Sequence, residues 1–237
     1  QKVLYISGEE SPQQIKLRSD RLGFAGDGVL MLPETDLVAV IDKMDSIRPG
    51  LVIVDSIQTL YCSDENSGPG SVGQVREAGL SLLRWAKDSG TPVFVSGHMT
   101  KDGSLAGPRV LEHMVDVVLY LESQEDGGFR VLRAGKNRFG ATTEVGVFEM
   151  TELGLTDVAD PSKALLSQRA GDAIGAALTP VVEGSRALLL EVQALTSPSQ
   201  LPAPRRVSNG LDYNRLLMLA AVASRRAGLE LSGQDII

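Results

Sequence analysis

The sequence predicts an α/β fold, with a mostly parallel β-sheet flanked by helices and then the start of a second, α+β domain. Short apolar runs rich in β-branched and aliphatic residues alternate with amphipathic stretches from Val3 to Glu122, which is typical of strands joined by crossover helices. The character of the chain changes at a stretch rich in Asp, Pro and Ser around residues 157–172, which indicates a domain boundary.

Five strands are expected in the sheet, and each is a nearly continuous apolar run of the kind found when both faces of a strand are covered. They are Val3 to Ser7, Val29 to Leu32, Leu51 to Asp55, Pro92 to Ser96 and Val117 to Glu122. The stretches between them have helical spacing. The one from Val75 to Trp85 is followed by Gly90, a residue type that commonly ends helices.

The first domain is expected to end in an antiparallel hairpin. Strands from Phe129 to Ala134 and from Val145 to Phe148 flank a glycine-bounded turn. We place this core at residues 1–156 and a linker at 157–172.

The second domain, at residues 173–237, is expected to open with another hairpin. Its two apolar runs are Ala173 to Val182 and Ala187 to Ala194, separated by a turn-forming Glu-Gly-Ser sequence. A helix from Tyr213 to Ala227 is expected to pack on this hairpin because its apolar residues recur at helical spacing.

Composition and charge narrow the class of protein. The net charge of −7 argues against coating nucleic acid by bulk electrostatics, so any DNA binding must come from local loops. The single cysteine excludes an internal disulfide framework and suits a reducing compartment, so a cytoplasmic location is expected. No run approaches the roughly 20 apolar residues that span a bilayer, and no membrane partner is expected.

The sharpest local signal is the apolar run Leu51-Val52-Ile53-Val54, which ends in Asp55. A carboxylate at the carboxyl end of a strand lies where open α/β sheets bind ligands. In nucleotide-dependent motors this position holds the aspartate that steadies Mg²⁺ through water. The alternative is that Asp55 only caps the following loop, and the segment by itself leaves both interpretations open.

A second carboxylate, Glu9, follows the first strand. A glutamate leaving a neighbouring strand at the same edge can orient an attacking water beside the metal. The alternative is a helix start, because Ser11 followed by Pro12 is a good N-cap. The two interpretations are compatible, with Glu9 for chemistry and Ser11 for capping.

The fourth strand is followed by His98 at the same predicted edge. A polar residue there can sense the γ-phosphate of a nucleotide and move the segment behind it. A structural histidine is the alternative. The chain has two His residues and one Cys, so a zinc site is not expected here.

The most distinctive string is Lys-Asn-Arg-Phe-Gly at residues 136–140, at the tip of the first domain's hairpin. Lys136 and Arg138 are separated by one residue, so in an extended segment their side chains point the same way and can reach a phosphate on a neighbouring subunit. The alternative is a solvated basic turn. Gly135 and Lys136 do not form a phosphate loop. The GxxxxGK[ST] pattern requires a glycine five positions before Gly135, and that position is Arg130.

Together these motifs resemble the bacterial RadA (Sms) family of DNA-repair ATPases. The strings that carry the resemblance keep the family's order and spacing, and they are GEES at 8–11, LVIVDSIQTLY at 51–61, PGSVGQVRE at 69–77, GHMTKDGSLAGPRVLEHMVD at 97–116 and KNRFG at 136–140. The later string VEGSRALLLEVQALTSPSQLPAPRRVSNGLDYNRL, at 182–216, looks like the start of the family's Lon-protease-like domain.

The resemblance implies a RecA-like core that assembles as a homo-hexamer and uses ATP and Mg²⁺. It implies partners in single-stranded and branched DNA and in the RecA recombinase, with branch migration of recombination intermediates as the outcome. In this family's terms, Glu9 matches the catalytic carboxylate, Asp55 the metal-associated aspartate and His98 the sensor. Lys136 and Arg138 match cations that complete a neighbour's ATP site.

The resemblance also implies where DNA binds. Residues 61–74 and 99–108 correspond to the segments that face DNA in the ring. Within or beside them, Arg76, Lys101 and Arg109 are the expected phosphate contacts.

Departures from the family keep alternatives open. The four-cysteine zinc finger and the GxxxxGK[ST] phosphate loop of the family are not in the printed sequence, so zinc is expected only in such a finger. The polypeptide alone is expected to bind ATP very weakly and to turn it over negligibly. The absent loop favours a noncatalytic scaffold that binds DNA or a recombinase through a degenerate RecA fold. A DnaB-type replicative helicase shares the sheet and the glutamate, but KNRFG and the Lon-like extension argue against it.

Four arginines in the second domain are interpreted as ordinary solvated surface rather than as DNA contacts. They are Arg205, Arg206, Arg225 and Arg226. No Ser-Lys protease pair can be assigned, and proteolysis is not expected.

Overall fold

The computed structural model describes residues 2–63, 67–98, 106–123, 128–162, 174–184 and 186–237. Of residues 106–109, 183 and 186 it describes the backbone alone. The chain divides into two compact units, Gln1–Asp157 and Val158–Ile237. Most of the expected linker lies outside the described residues, so the domain bounds given above stay a prediction.

The first unit contains a sheet of four parallel strands, which confirms the predicted α/β class. The strands are β1 (Val3–Ser7), β2 (Val29–Leu32), β3 (Leu51–Asp55) and β4 (Val93–Val95). Their order is β2-β1-β3-β4, and Ser7 at the end of β1 lies opposite Asp55 at the end of β3. The carboxyl ends of the two central strands therefore meet at one edge.

Helices connect these strands, and polar side chains define where they begin. The connections are α1 (Pro12–Arg21), α2 (Leu37–Ile47), a 3₁₀ turn (Ile57–Thr59) and α3 (Val72–Ser89). Ser11 and Gln14 form a reciprocal capping box at α1, which confirms the predicted helix start. Asp36 caps α2, and Gly90, with φ of 68°, ends α3.

One face of the parallel sheet forms the core of this unit. Alternate residues of β1 and β3 are buried there against α2 and α3, with Leu4, Ile6, Val52, Val54, Val40, Met44, Val75 and Leu82 among them. On the other face Tyr5 and Ile53 are half-buried, and Phe94 of β4 is 61% exposed. The expectation that both faces are covered is therefore wrong for these residues. An apolar sequence predicts a strand, but it does not specify which element packs on each face of that strand.

The fifth predicted strand does not join the parallel sheet. After α4 (Ala106–Met114), the chain forms a separate antiparallel sheet of β5 (Val117–Ser123), β6 (Phe129–Asn137), β7 (Val145–Thr151) and β8 (Gly154–Asp157), in that order. The β6–β7 pairing confirms the predicted hairpin. β5 pairs with β6, the next strand along the chain, because antiparallel neighbours need only a short connection.

The second unit contains the predicted hairpin, formed by β9 (Ala176–Glu183) and β10 (Arg186–Gln193). The strands β11 (Thr196–Pro198) and β12 (Gln234–Ile236) also pair. The predicted helix is present as α5 (Tyr213–Ala227), but none of its residues is buried, so the structure does not show the expected packing on the hairpin. The Lon-like assignment of this unit stays a prediction.

A transmembrane segment is not found in the part of the chain that the structure describes, since none of its helices combines the length and the apolar content needed to cross a bilayer.

Candidate active site

Asp55 lies at the carboxyl end of β3, between β1 and β4. Its Oδ2 accepts a hydrogen bond of 2.5 Å from the Tyr5 hydroxyl, and its Oδ1 accepts one of 2.7 Å from Ser96 Oγ. Tyr5 belongs to β1 and Ser96 directly follows β4, so the two strands beside β3 position the groups that hold the carboxylate in place. The peptide bond that joins Asp55 to Ser56 is cis.

These contacts fix the charge of Asp55. Burial opposes its ionisation, but hydrogen bonds from Tyr5 and Ser96, together with nearby His98 and Arg18, outweigh burial and hold the pKa of Asp55 below its ordinary value. Burial and the hydrogen bond to Asp55 raise the pKa of the Tyr5 hydroxyl. The pair therefore consists of a carboxylate and a neutral phenol at neutral pH.

Glu9 leaves β1 at the same edge. Gly8 precedes it, and a Cβ at Gly8 would collide with the side chain of Thr59, so only glycine lets the chain pass this close to the 3₁₀ turn. The Gly8 amide donates to the Asp55 carbonyl over 3.1 Å. Glu9 Oε1 accepts a hydrogen bond from Ser56 Oγ. The two carboxylate-bearing segments are thus tied together.

His98 follows β4 and completes the cluster. Its Nε2 lies 3.0 Å from Glu9 Oε1 and 3.3 Å from Glu9 Oε2. The side chains of His98 and Glu9 are 66% and 40% exposed, so water reaches both. The structure therefore brings together the three residues that the sequence placed at one edge. Their chemical roles stay predictions.

The cluster suits a hydrated divalent cation better than an ion enclosed by protein. Mg²⁺ binds through one or two carboxylates, keeps several waters and takes phosphate oxygens from its substrate. Asp55 presents an ionised carboxylate of this kind at a solvent-accessible edge. Within the described ranges, no group of three or more His, Cys, Asp and Glu side chains is arranged to hold a metal.

Lys136 and Arg138 have partners within their own chain. Lys136 Nζ donates to the carbonyls of Glu112 and Val115, each at 2.7 Å, and of His113 at 3.4 Å, so it caps the carboxyl end of α4. Arg138 pairs with Asp116 at 2.8 Å. In this structure both cations are bonded within their own chain, because the open carbonyls of α4 and a carboxylate lie beside them. Their expected role in a neighbour's ATP site stays a prediction.

Of the three expected DNA contacts, Arg76 has a described side chain. Arg76 lies on an exposed position of α3. Lys101 and the side chain of Arg109 lie outside the described residues, so their contacts stay predictions. The base of the first expected DNA-facing segment is well defined: the buried Gln74 accepts from Cys62 N and donates to the carbonyls of Cys62 and Ser67.

Sequence reasoning missed the residues that hold the cluster together. Tyr5 lies opposite Ile53, and alternation puts both on the same face as Asp55. The hydroxyl of Tyr5 within an otherwise apolar run was the sequence signal that could have identified it. Ser96 and Ser56 each follow a strand end by one residue and carry the same kind of signal.

Comparison with known proteins gives a consistent family. The chain is 52% identical over 233 residues to the DNA repair protein RadA of Bacillus subtilis, which covers 98% of this chain and 51% of that protein. It is 50% identical over 235 residues to the protein of the same name from Pseudomonas aeruginosa, covering 99% and 52%. The chain thus spans about half the length of the curated relatives it matches. No model of a known protein family matches it.

Two solved structures resemble this chain only weakly. A RadB recombinase is 23% identical, with a TM-score of 0.48 over 66% of this chain and 79% of that chain. A KaiC-like protein from Pyrococcus horikoshii is 13% identical, with a TM-score of 0.49 over 67% and 76%. Both TM-scores are below 0.5, and the α/β fold is defined by the strand order given above.

Proposed function

This chain belongs to the RadA family of DNA repair proteins, and from that premise we propose that its first unit is the RecA-like ATP-hydrolysing core of a DNA-dependent repair and recombination motor. The observation that carries the proposal is the contact between Glu9 and His98 beside Asp55, at one edge of the parallel sheet. This is where open α/β folds bind their ligands.

Three residues have distinct roles in the proposal. Asp55, held ionised by Tyr5 and Ser96, accepts hydrogen bonds from the water shell of Mg²⁺. Glu9 takes the proton of the attacking water, for which its exposed carboxylate is accessible. His98 binds Glu9 in the structure and acts as the sensor, since its position after β4 places it at the mouth of the site.

ATP with bound Mg²⁺ supplies the phosphoanhydride that is cleaved and the cation that neutralises charge on the transferred phosphoryl group. The chain's own residues orient water, hold a proton and respond to the state of the site. The 237-residue sequence contains no GxxxxGK[ST] loop. We therefore also propose that this polypeptide alone does not hydrolyse ATP.

Lys136 and Arg138 are proposed to complete the ATP site of a neighbouring subunit in a homo-hexamer. The family resemblance of the KNRFG string supports this role. The contacts within the chain qualify it: Arg138 can leave an exposed ion pair at little cost, whereas Lys136 must leave three carbonyls of α4. Arg138 is therefore the better candidate for a cation that acts on the next subunit.

DNA is proposed as the second substrate. The names of the curated relatives support a role in DNA repair. Binding of single-stranded and branched DNA through Arg76, Lys101 and Arg109, branch migration, contact with the RecA recombinase and a cytoplasmic location are the finer parts of the proposal.

A substitution pair tests the proposed chemistry in the full-length protein. Glu9→Gln should lower single-strand-stimulated ATP hydrolysis by at least about 100-fold, because loss of a general base typically costs about 10²–10⁴ in rate. The neighbouring Glu10→Gln is the matched control, since Glu10 pairs with Arg18 rather than with the cluster. Equal activity of Glu9→Gln and wild type would refute the assignment.

The alternative is a noncatalytic scaffold that binds DNA or a recombinase through its RecA-like fold. The two functions differ in one measurement. A full-length wild-type protein that binds single-stranded DNA without hydrolysing ATP is a scaffold, whatever the behaviour of the variants.

A further inference from the structure

Gln58 has no role in the site described so far, yet it lies at its centre. It is the middle residue of the 3₁₀ turn, three positions after Asp55. The turn is fixed to the end of β4, because the Ile57 amide donates to the Ser96 carbonyl over 3.1 Å. The side chain of Gln58 is therefore presented to whatever follows β4.

The side chain of Gln58 closes a ring of contacts. Its Nε2 donates to the His98 carbonyl over 3.3 Å. The His98 ring contacts Glu9, and Glu9 accepts from Ser56, which lies two residues before Gln58. Gln58 thus holds the backbone of His98 while Glu9 holds its ring, and the two restraints together fix where the imidazole stands.

The contact with His98 determines the orientation of the Gln58 side-chain amide. A flipped amide would put two oxygens against each other, so the His98 carbonyl determines that Nε2 faces it. Gln58 Oε1 is then buried with no hydrogen-bond partner among the described residues. Such atoms are rare and costly in folded proteins.

The backbone just before His98 also lies close to Gln58. A Cβ at Gly97 would be 3.4 Å from Gln58 Nε2, which is an ordinary van der Waals contact. Gln58 is therefore packed against the segment that carries His98.

We propose that Gln58 is a positioning residue that holds His98 against Glu9 and so sets the rate of ATP hydrolysis. The proposal rests on the proposed function. Gln58 touches no reacting atom; it acts through the His98 backbone.

The test uses Gln58→Met in the full-length protein, which keeps the volume and removes the amide. With single-stranded DNA present, kcat for ATP should fall at least fivefold, while KM for ATP changes less than twofold, because the substitution moves a catalytic group without altering nucleotide contacts. Gln193→Met is the matched control. Gln193 is an exposed glutamine of the second unit that bonds Glu191, and its replacement should change neither quantity.

A double variant separates positioning from general damage. If Gln58 acts through His98, then Gln58→Met combined with His98→Ala should have the kcat of His98→Ala alone. Multiplicative losses overturn the proposal, and so does a Gln58→Met variant as active as wild type. Gln58→Glu, which keeps the shape and the acceptor but not the donor, should match Gln58→Met.

Thermal unfolding completes the test. If both Gln58 variants melt more than about 5 °C below wild type, the residue is structural and the proposal fails. A wild-type protein without DNA-stimulated hydrolysis would instead contradict the proposed function, so the two failures are distinguishable.

Discussion

The parallel sheet and Lys136 of the antiparallel sheet show two different ways in which the first unit binds its charged residues. At the edge of the parallel sheet, side chains contact side chains: Glu9 contacts His98, and Asp55 contacts Tyr5. In the antiparallel sheet, Lys136 of β6 bonds to backbone carbonyls, although its neighbour Arg138 pairs with the side chain of Asp116. The first arrangement can be exchanged for a substrate, while the second is part of the fold.

Topology explains the difference. Parallel strands joined by crossovers all end at one edge, so residues that follow them in sequence must meet in space. A hairpin turn has no such edge, and its residues contact whatever element lies beside them. The comparison teaches that parallel connectivity by itself brings together polar residues that follow strands, whereas the partners of a residue beside a hairpin turn depend on the element packed there.

The largest expected effect concerns Lys136. Lys136→Met leaves the carbonyls at the end of α4 without their cation, and hydrogen bonds to charged groups contribute about 1.5–3 kcal/mol. The free energy of unfolding of the chain should fall by about 2 kcal/mol in urea titrations. Lys87→Met, at an exposed position of α3, is the control. An equally small change in both variants would break the comparison, because Lys136 would then be no part of the fold.

A smaller effect is expected at Asp55, and it depends on pH. The pKa of Asp55 is lower in the folded chain than in the unfolded one, where it is about 3.9, so the folded state favours the ionised form. The stabilisation is complete above the unfolded pKa and disappears as pH falls through the folded pKa. Asp55→Asn should therefore lower the urea midpoint at pH 7, and the gap to wild type should close below about pH 4.

Tyr5→Phe sharpens this measurement. It removes one of the two hydroxyl donors to Asp55, so it should produce a loss of the same sign and smaller size. A gap that stays constant from pH 7 to pH 3 would show that the contacts do not favour the carboxylate over the acid.

The smallest effect is expected for the ion pair between Arg138 and Asp116. Both side chains are about half exposed, at 54% and 44%. A double-mutant cycle of Arg138→Ala and Asp116→Asn should give a coupling of about 0.2–1 kcal/mol, weaker at high salt. A coupling as large as the Lys136 effect would mean that Arg138, too, is fixed in the fold.

Much of the parallel-sheet unit was predictable because its signals are local. The runs of β1 to β4 and the Ser11 cap of α1 are written in consecutive residues. Asp55, Glu9 and His98 could be placed at one edge because parallel connectivity alone brings strand ends together.

The rest depends on pairing and packing that no short stretch encodes. β5 was expected in the parallel sheet because residue types specify a strand but not its neighbour. Tyr5 and Ser96 reach Asp55 only at the observed register. Lys136 bonds to the last carbonyls of α4 because the fold places the end of that helix beside β6, and the sequence alone does not specify this placement.

Gln74 determines how much a single substitution can undo in the first unit. Its buried side chain accepts a hydrogen bond from the Cys62 amide and donates to the carbonyls of Cys62 and Ser67, so one residue of α3 is bonded to two points of the preceding segment. Replacing Gln74 with leucine would keep most of its volume and remove these three hydrogen bonds at once.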